Sequence, residues 1–326
     1  MRIFLAPMEG VVDYTMRDLL TRIGGFDRCV TEFVRITEQR LPARVFRRFC
    51  PELDQGGKTP AGTPVYVQLL GGNAEYMALN ARKAEQVGAP GIDLNFGCPS
   101  KTVNRNDGGS ALLREPERVH GIVRAVREAV SAATPVTAKI RLGFHDAGLL
   151  DEIAAGVAEA GANELCIHAR TRLDGYKPPA YWQHIAPIRN KLAIPVVVNG
   201  EIWTAADARQ AQLESGCTDI MLGRGSLCKP DLARVIRADQ NGGVYTALSW
   251  EEVREIMIGY VPALENGNRK FAPNRVKQWL NYLRREYPQA EALFQHLKCL
   301  KTLDDIKHSL RYWQADKGEM HESVGE

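Results

Sequence analysis

Val136-Thr-Ala-Lys-Ile-Arg-Leu142 is followed by Leu149–Ala160, by Gly161, and then by Glu164-Leu-Cys-Ile-His-Ala169. The first and last runs are short and largely apolar, as expected of parallel strands covered on both faces. The middle segment has helical spacing, and a glycine just past a helix supplies the left-handed cap. Strand, helix, strand is the crossover unit of a parallel sheet. Six more runs of the first kind flank this unit: Ile3–Met8, Arg28–Val34, Val65–Leu70, Gly91–Phe96, Val196–Asn199 and Asp219–Leu222. Helical segments separate most of them. Ala74–Val87 runs into Gly88, Glu117–Val130 follows Pro116, and Ala205–Glu214 stops before Gly216. Eight strand–helix units predict an α/β fold of the (β/α)₈ barrel type over residues 1–240. A doubly wound sheet would carry a glycine-rich dinucleotide turn after its first strand, and Pro7-Met-Glu-Gly10 is not one.

Beyond Asn241 the strand signals stop. Glu251–Leu264, Arg275–Tyr287, Gln289–Leu300 and Asp304–Trp313 read as helices. In the second, Val276, Trp279, Leu280, Leu283 and Tyr287 form one apolar stripe. A smaller all-helical domain over 241–326 is expected, with the polar last dozen residues frayed. A chain of 326 residues, 44% hydrophobic, suits one large core and an appendage. No run approaches the length of a membrane span, and Met1–Gly10 does not read as a signal peptide. Seven scattered cysteines without a C-x-x-C argue against a zinc site or a disulfide framework. A reducing cytoplasm is the expected setting. The net charge of +3 is unevenly spread: residues 268–301 hold eight cations against Glu286 and Glu291. Such a cluster suits a polyanion, although a solvated helical face would look the same.

In (β/α)₈ barrels, polar residues at the C-terminal strand ends build the site and inward residues lower down are packing. This chain places Pro7 and Met8, Gln68, Asn95, Lys139 with Arg141, His168 with Arg170, Asn199-Gly-Glu201 and Gly223-Arg-Gly225 there. A single strand lysine is ordinarily a snorkelling residue, and a single histidine ordinarily scaffolding. Several cations in one mouth, however, repel one another unless an anion sits among them. Glycine turns after the last two strands are where barrels cradle phosphate. A phosphate-bearing cofactor is expected. Gly97 and Pro99 turn the chain sharply at Cys98, and Lys101–Leu113, with Gly108-Gly109, reads as a mobile loop over the site. By its spacing alone, Cys98 could donate a proton or attack as a thiolate.

These motifs resemble the tRNA-dihydrouridine synthases. The resemblance rests on Leu5-Ala-Pro-Met-Glu-Gly10, Asp93-Leu-Asn-Phe-Gly-Cys-Pro-Ser-Lys101, Gly108-Gly-Ser-Ala-Leu-Leu113, Lys139-Ile-Arg141, His168-Ala-Arg170, Asn199-Gly200 and Gly223-Arg-Gly225. Thr31-Glu-Phe-Val-Arg35, Tyr176, Arg275-Val-Lys-Gln-Trp-Leu280 and Phe294-Gln-His296 resemble the bacterial C-type branch. The resemblance implies an FMN reduced by NADPH (or NADH), which in turn reduces a D-loop uridine of tRNA, by analogy at position 16. It implies that Pro7, Met8, Glu9, Gln68, Lys139, His168, Asn199, Gly200, Glu201, Gly223 and Arg224 hold the flavin. Asn95 and Arg141 would contact the base, and Cys98 would protonate it. Arg35, Tyr176, Arg275, Lys277 and Lys298 would contact the RNA, although Arg275 and Lys277 lie about 200° apart on a helix. No metal and no stable protein partner is implied, and a monomer is expected. The competing readings are a dihydropyrimidine or dihydroorotate-type dehydrogenase acting on a free base, a non-catalytic RNA-binding barrel, and a phosphosugar aldolase or isomerase barrel. The first has no use for the basic tail, the second none for the mouth residues, and the third none for Cys98.

Overall fold

The computed structural model describes residues 1–268 and 270–312, without the side chains at 267 and 268. Arg269, Trp313 and the polar terminal residues that were read as frayed lie outside the described residues. The strands are β1 (Ile3–Leu5), β2 (Arg28–Val30), β3 (Val34–Arg35), β4 (Val65–Leu70), β5 (Ile92–Asn95), β6 (Val136–Arg141), β7 (Glu164–His168), β8 (Val196–Asn199) and β9 (Asp219–Leu222). All their pairings are parallel. The order β2-β1-β9-β8-β7-β6-β5-β4-β3 closes on itself because β2 also pairs with β4. The result is an eight-stave barrel in which β2 and β3 are two pieces of one stave. The second stave breaks at Thr31, whose hydroxyl accepts the Gln68 N–H at 3.0 Å in place of a strand carbonyl.

The expected helices are present as Ala74–Gln86, Pro116–Ala129, Leu150–Glu159 and Ala205–Ser215. The last begins with a reciprocal capping box between Thr204 and Asp207 and ends on Gly216 in the left-handed conformation at φ 67°.

The lower barrel departs from the expectation of simple packing. Phe4, Val30, Cys166, Val197 and Met221 do form a buried cluster. Beside it, however, Arg28 is ion-paired with Glu164, both buried, and its guanidinium sits 4.0 Å from the Phe4 ring centroid and 4.5 Å from that of Tyr66. Arg2 meets the same carboxylate at 2.9 Å. Removing Glu164 would cost about 3–5 kcal/mol, since the Arg28 charge would then be left unpaired in the core.

The chain divides into two compact units. One comprises 1–226 and 230–246, and the other comprises 227–229 and the described residues from 247 onward. Helix Leu232–Gln240 belongs to the first. The second contains helices Trp250–Asn268, Ala272–Leu283, Pro288–Leu297 and Leu303–Tyr312. Its core is the apolar stripe read from the sequence, centred on fully buried Trp279. The Trp279 indole donates to the Leu227 carbonyl at 3.2 Å and meets the Tyr260 ring edge-on at 5.4 Å.

Candidate active site

Strand register brings the mouth residues into one ring. Asn95 is the cross-strand partner of Lys139, Arg141 of His168, and His168 of Asn199. Alternate residues of a strand share a face, so Asp93 with Asn95, and Lys139 with Arg141, point to the same side.

Cys98 sits on the turn after β5, half-buried. The turn is gripped from both sides. Asn95 Oδ1 accepts the N–H groups of Gly97 at 3.0 Å and Cys98 at 2.9 Å. The Cys98 carbonyl accepts Asn104 Nδ2 and Ser110 Oγ, each at 2.8 Å, and Ser110 N–H at 3.1 Å. Arg141 Nε donates to the Gly97 carbonyl at 2.7 Å. Burial pushes the Cys98 thiol above its ordinary range, opposed by the Ser100 N–H and the Arg141 charge. The thiol is therefore protonated at neutral pH. The segment read as a mobile loop holds a short helix, Lys101–Arg105, and a 3-10 turn, Gly109–Arg114, with Val103 and Ser110–Leu113 buried. It is pinned at Asn106, whose carbonyl accepts Arg35 Nη2 at 2.7 Å, and at Asp107, which pairs with Arg118.

The cations of the mouth are managed individually. Lys139 Nζ donates to Asn199 Oδ1 at 2.9 Å, and burial pushes the ammonium below the usual lysine range. His168 is held well below its ordinary pKa by burial and by Arg141, Lys139, Arg170 and Arg224, so it is a neutral imidazole. Arg141 also donates to the carbonyls of Thr171 at 3.0 Å and Gly175 at 2.8 Å. Its guanidinium and that of Arg224 lie 5.1 Å and 5.2 Å from the Tyr176 ring. Arg170, fully buried, pairs with Glu201. Glu201 also accepts the Trp203 indole N–H at 2.9 Å and lies 3.6 Å from Arg224. The turn carrying it is strained, with φ +112° at Gly200 and +57° at Glu201. A Cβ on Gly200 would come within 2.6 Å of the His168 ring. Met8, just after β1, lies beside the turn after β9, its sulfur 3.7 Å from where a Cβ on Gly223 would sit. Pro7 and Met8 are half-buried and Glu9 is exposed. Although much of its surface is open, partial desolvation of the Glu9 carboxyl and the Glu32 charge hold it above the usual range.

In the helical unit, Lys277 reaches the carbonyls of Leu300 and, at 3.2 Å, Lys298, so it caps the end of helix Pro288–Leu297. Arg275 is bonded to Gln278, and Lys298 to Gln295. The sequence reading passed over Asp93, Asn104 and Ser110. The alternation in β5 places Asp93 inward beside Asn95, and that was the available signal. Asn104 and Ser110 carried none, because their role depends on how the loop folds back.

A family model described as "Dihydrouridine synthase (Dus)" matches residues 4–314. The chain belongs to the dihydrouridine synthase family. Curated relatives of the family match along nearly all of it. A tRNA-dihydrouridine(16) synthase of Shewanella oneidensis is 50% identical, over 96% of this chain and 98% of that protein. Those of Vibrio cholerae and Escherichia coli K12 are 46% and 44% identical, covering 100% and 97% of this chain and 99% and 100% of theirs. Among solved structures, a variant of NCR from Zymomonas mobilis aligns at TM-score 0.52 and 17% identity, over 77% of this chain and 90% of that one. Histamine dehydrogenase from Rhizobium sp. 4-9 aligns at TM-score 0.56 and 15% identity, over 80% and 48%. At such identities these structures speak for the barrel fold alone.

Proposed function

We propose that the protein reduces the C5–C6 double bond of a D-loop uridine in tRNA, at position 16, with FMN as bound cofactor and NADPH (or NADH) as reductant. On this reading it works in the cytoplasm as a monomer, with the barrel binding FMN and carrying the chemistry and the helical unit binding tRNA. One observation carries the reading: a half-buried thiol is held from both sides on a strand-end turn beside a ring of recessed cations.

The mouth fits a phosphate-bearing flavin. Arg170 Nη1 and Ser226 Oγ are buried with no hydrogen-bond partner among the described residues. Orphaned buried donors of this kind call for an acceptor. Pro7, Met8 and Glu9 would line the ring, and Gln68 and Lys139 would meet its edge. His168, Asn199, Gly200, Glu201, Gly223 and Arg224 would hold the ribityl chain and phosphate, with Glu201 acting through Arg170 and Arg224. When bound, FMN supplies a hydride to C6 of the uracil and takes electrons from the nicotinamide.

The side chains do the rest. Cys98 Sγ gives its proton to C5 as charge builds on the base, and water restores the thiol. Asn95 and Arg141 shape the turn that aims Cys98 and would contact the base. The uridine must leave its stack to reach the pocket. Arg35 and Tyr176, whose ring is flanked by two arginines, would receive the flipped nucleotide, and Arg275, Lys277 and Lys298 its phosphates. The test is dihydrouridine formation at position 16 of unmodified tRNA with FMN and NADPH. Cys98→Ala is expected to bind both partners yet lose about 10²–10⁴-fold in turnover, the usual cost of removing a general acid. Unchanged turnover would remove Cys98 from the role. Reduction of free uracil or orotate without tRNA would favour the free-base dehydrogenase.

A further inference from the structure

Four side chains form a continuous hydrogen-bonded file beneath the Cys98 turn. Thr137 Oγ1 donates to Asp93 Oδ1 at 2.6 Å, Gln68 Nε2 to Asp93 Oδ2 at 2.7 Å, and Asn95 Nδ2 to Gln68 Oε1 at 2.8 Å. Asn95 Oδ1 then takes the Gly97 and Cys98 N–H groups. Asp93 is 2% exposed and Gln68 and Thr137 are buried with it, so water does not substitute for a lost partner.

We propose that Asp93 is a positioning residue that sets the orientation of the Cys98 turn through Gln68 and Asn95. A primary amide can point either way, because its oxygen and nitrogen have nearly the same shape. Two amides in series stay ordered only if both ends of the file are unambiguous. Here one end is a pair of backbone N–H groups, which can only donate. The other is the Asp93 side chain, whose two oxygens accept from Thr137 and Gln68 at once. Asp93 therefore polarises Gln68, Gln68 polarises Asn95, and Asn95 presents oxygen rather than nitrogen to the turn. The carbonyl side of the turn has holders of its own in Asn104, Ser110 and Arg141. Its amide side is held by Asn95. Thr137 orients the carboxylate from β6, which makes the file a link between three staves.

For its effect on catalysis, the inference rests on the reading of Cys98 as proton donor, but its test does not. In the full-length protein, the rate of Cys98 alkylation by iodoacetamide is followed by peptide mass spectrometry, which separates it from the exposed Cys299. Asp93→Leu and Gln68→Met are expected to loosen the turn and speed alkylation about tenfold, the order of effect of leaving a buried polar group unpaired. Asp93→Asn, a primary amide that can turn nitrogen as readily as oxygen toward Gln68, is expected to speed alkylation as well. If Asp93→Leu does not fold, Gln68→Met carries the same comparison. Wild-type alkylation in Gln68→Met would overturn the relay. So would a wild-type rate in Asp93→Asn, since an accept-only end would then not be what orders the file. Faster alkylation with unchanged tRNA reduction would uphold the relay and remove Cys98 as the acid.

Discussion

His168 shows how a single residue is reset by its surroundings. From the strand it reads as one more potential cation in a crowded mouth. In the barrel, burial and four neighbouring cations keep it neutral. The sign of the consequence follows from linkage. The unfolded chain protonates this imidazole near pH 6.5, whereas the folded protein does so only well below that. Stability contributed by the neutral form is present above pH 6.5 and is lost as pH falls below it. The slope from this one group approaches about 1.4 kcal/mol per pH unit. His168→Asn is expected to remove about 1.4 kcal/mol of the stability difference between pH 7.5 and 5.5, read by urea unfolding at each. Parallel losses in both proteins would show that His168 is not the group responsible. The sequence located His168 by its place at a strand end, but it carried no information on charge state, which depends on residues of other staves.

The segment after Cys98 carries the lesson at the level of an element. Its glycines suggest freedom, and one of them is there for contact. Gly109 has φ +61°, and a Cβ on it would lie 2.9 Å from both the Cys98 Cβ and the Cys98 carbonyl oxygen. Gly109→Ala is expected to cost about 1–3 kcal/mol in thermal unfolding through backbone strain, and to lower turnover by displacing Cys98. Gly121 is the matched control. It lies inside helix Pro116–Ala129, and a Cβ on it would meet nothing within 4 Å. Gly121→Ala should stabilise by about 0.5–1 kcal/mol and leave turnover alone. Equal effects at the two positions would refute the close approach at Gly109. Strand and helix positions were legible to within about four residues, closest for the four barrel helices, because periodicity and caps are local. The grip of Ser110 and Asn104 on Cys98 was not, because it needs the chain to fold back on itself.

At the scale of the molecule, part of the basic charge holds the fold, and the proposed function assigns another part to the RNA. Lys277 caps a helix end with its ammonium, while Lys298 is exposed with its ammonium on Gln295. Lys298 is therefore the cleaner probe of RNA binding. Lys298→Ala is expected to weaken tRNA binding and to reduce the slope of log Kd against log salt by about one, as loss of one phosphate contact would. An unchanged slope would place Lys298 outside the RNA-binding surface.

By itself the sequence determined the alternation that counts out eight staves, the end of β5 at which Cys98 sits, and the apolar stripe around Trp279. Each is set by spacing along the chain and by residue type, which short-range periodicity reports. Only the tertiary structure decided which charges meet. Arg28 finds Glu164 at the bottom of the barrel, Arg170 finds Glu201 at its mouth, and Asp93 reaches Cys98 through two amides. These pairings join staves far apart in sequence. Periodicity shows which face a residue occupies, whereas the register between strands selects its partner.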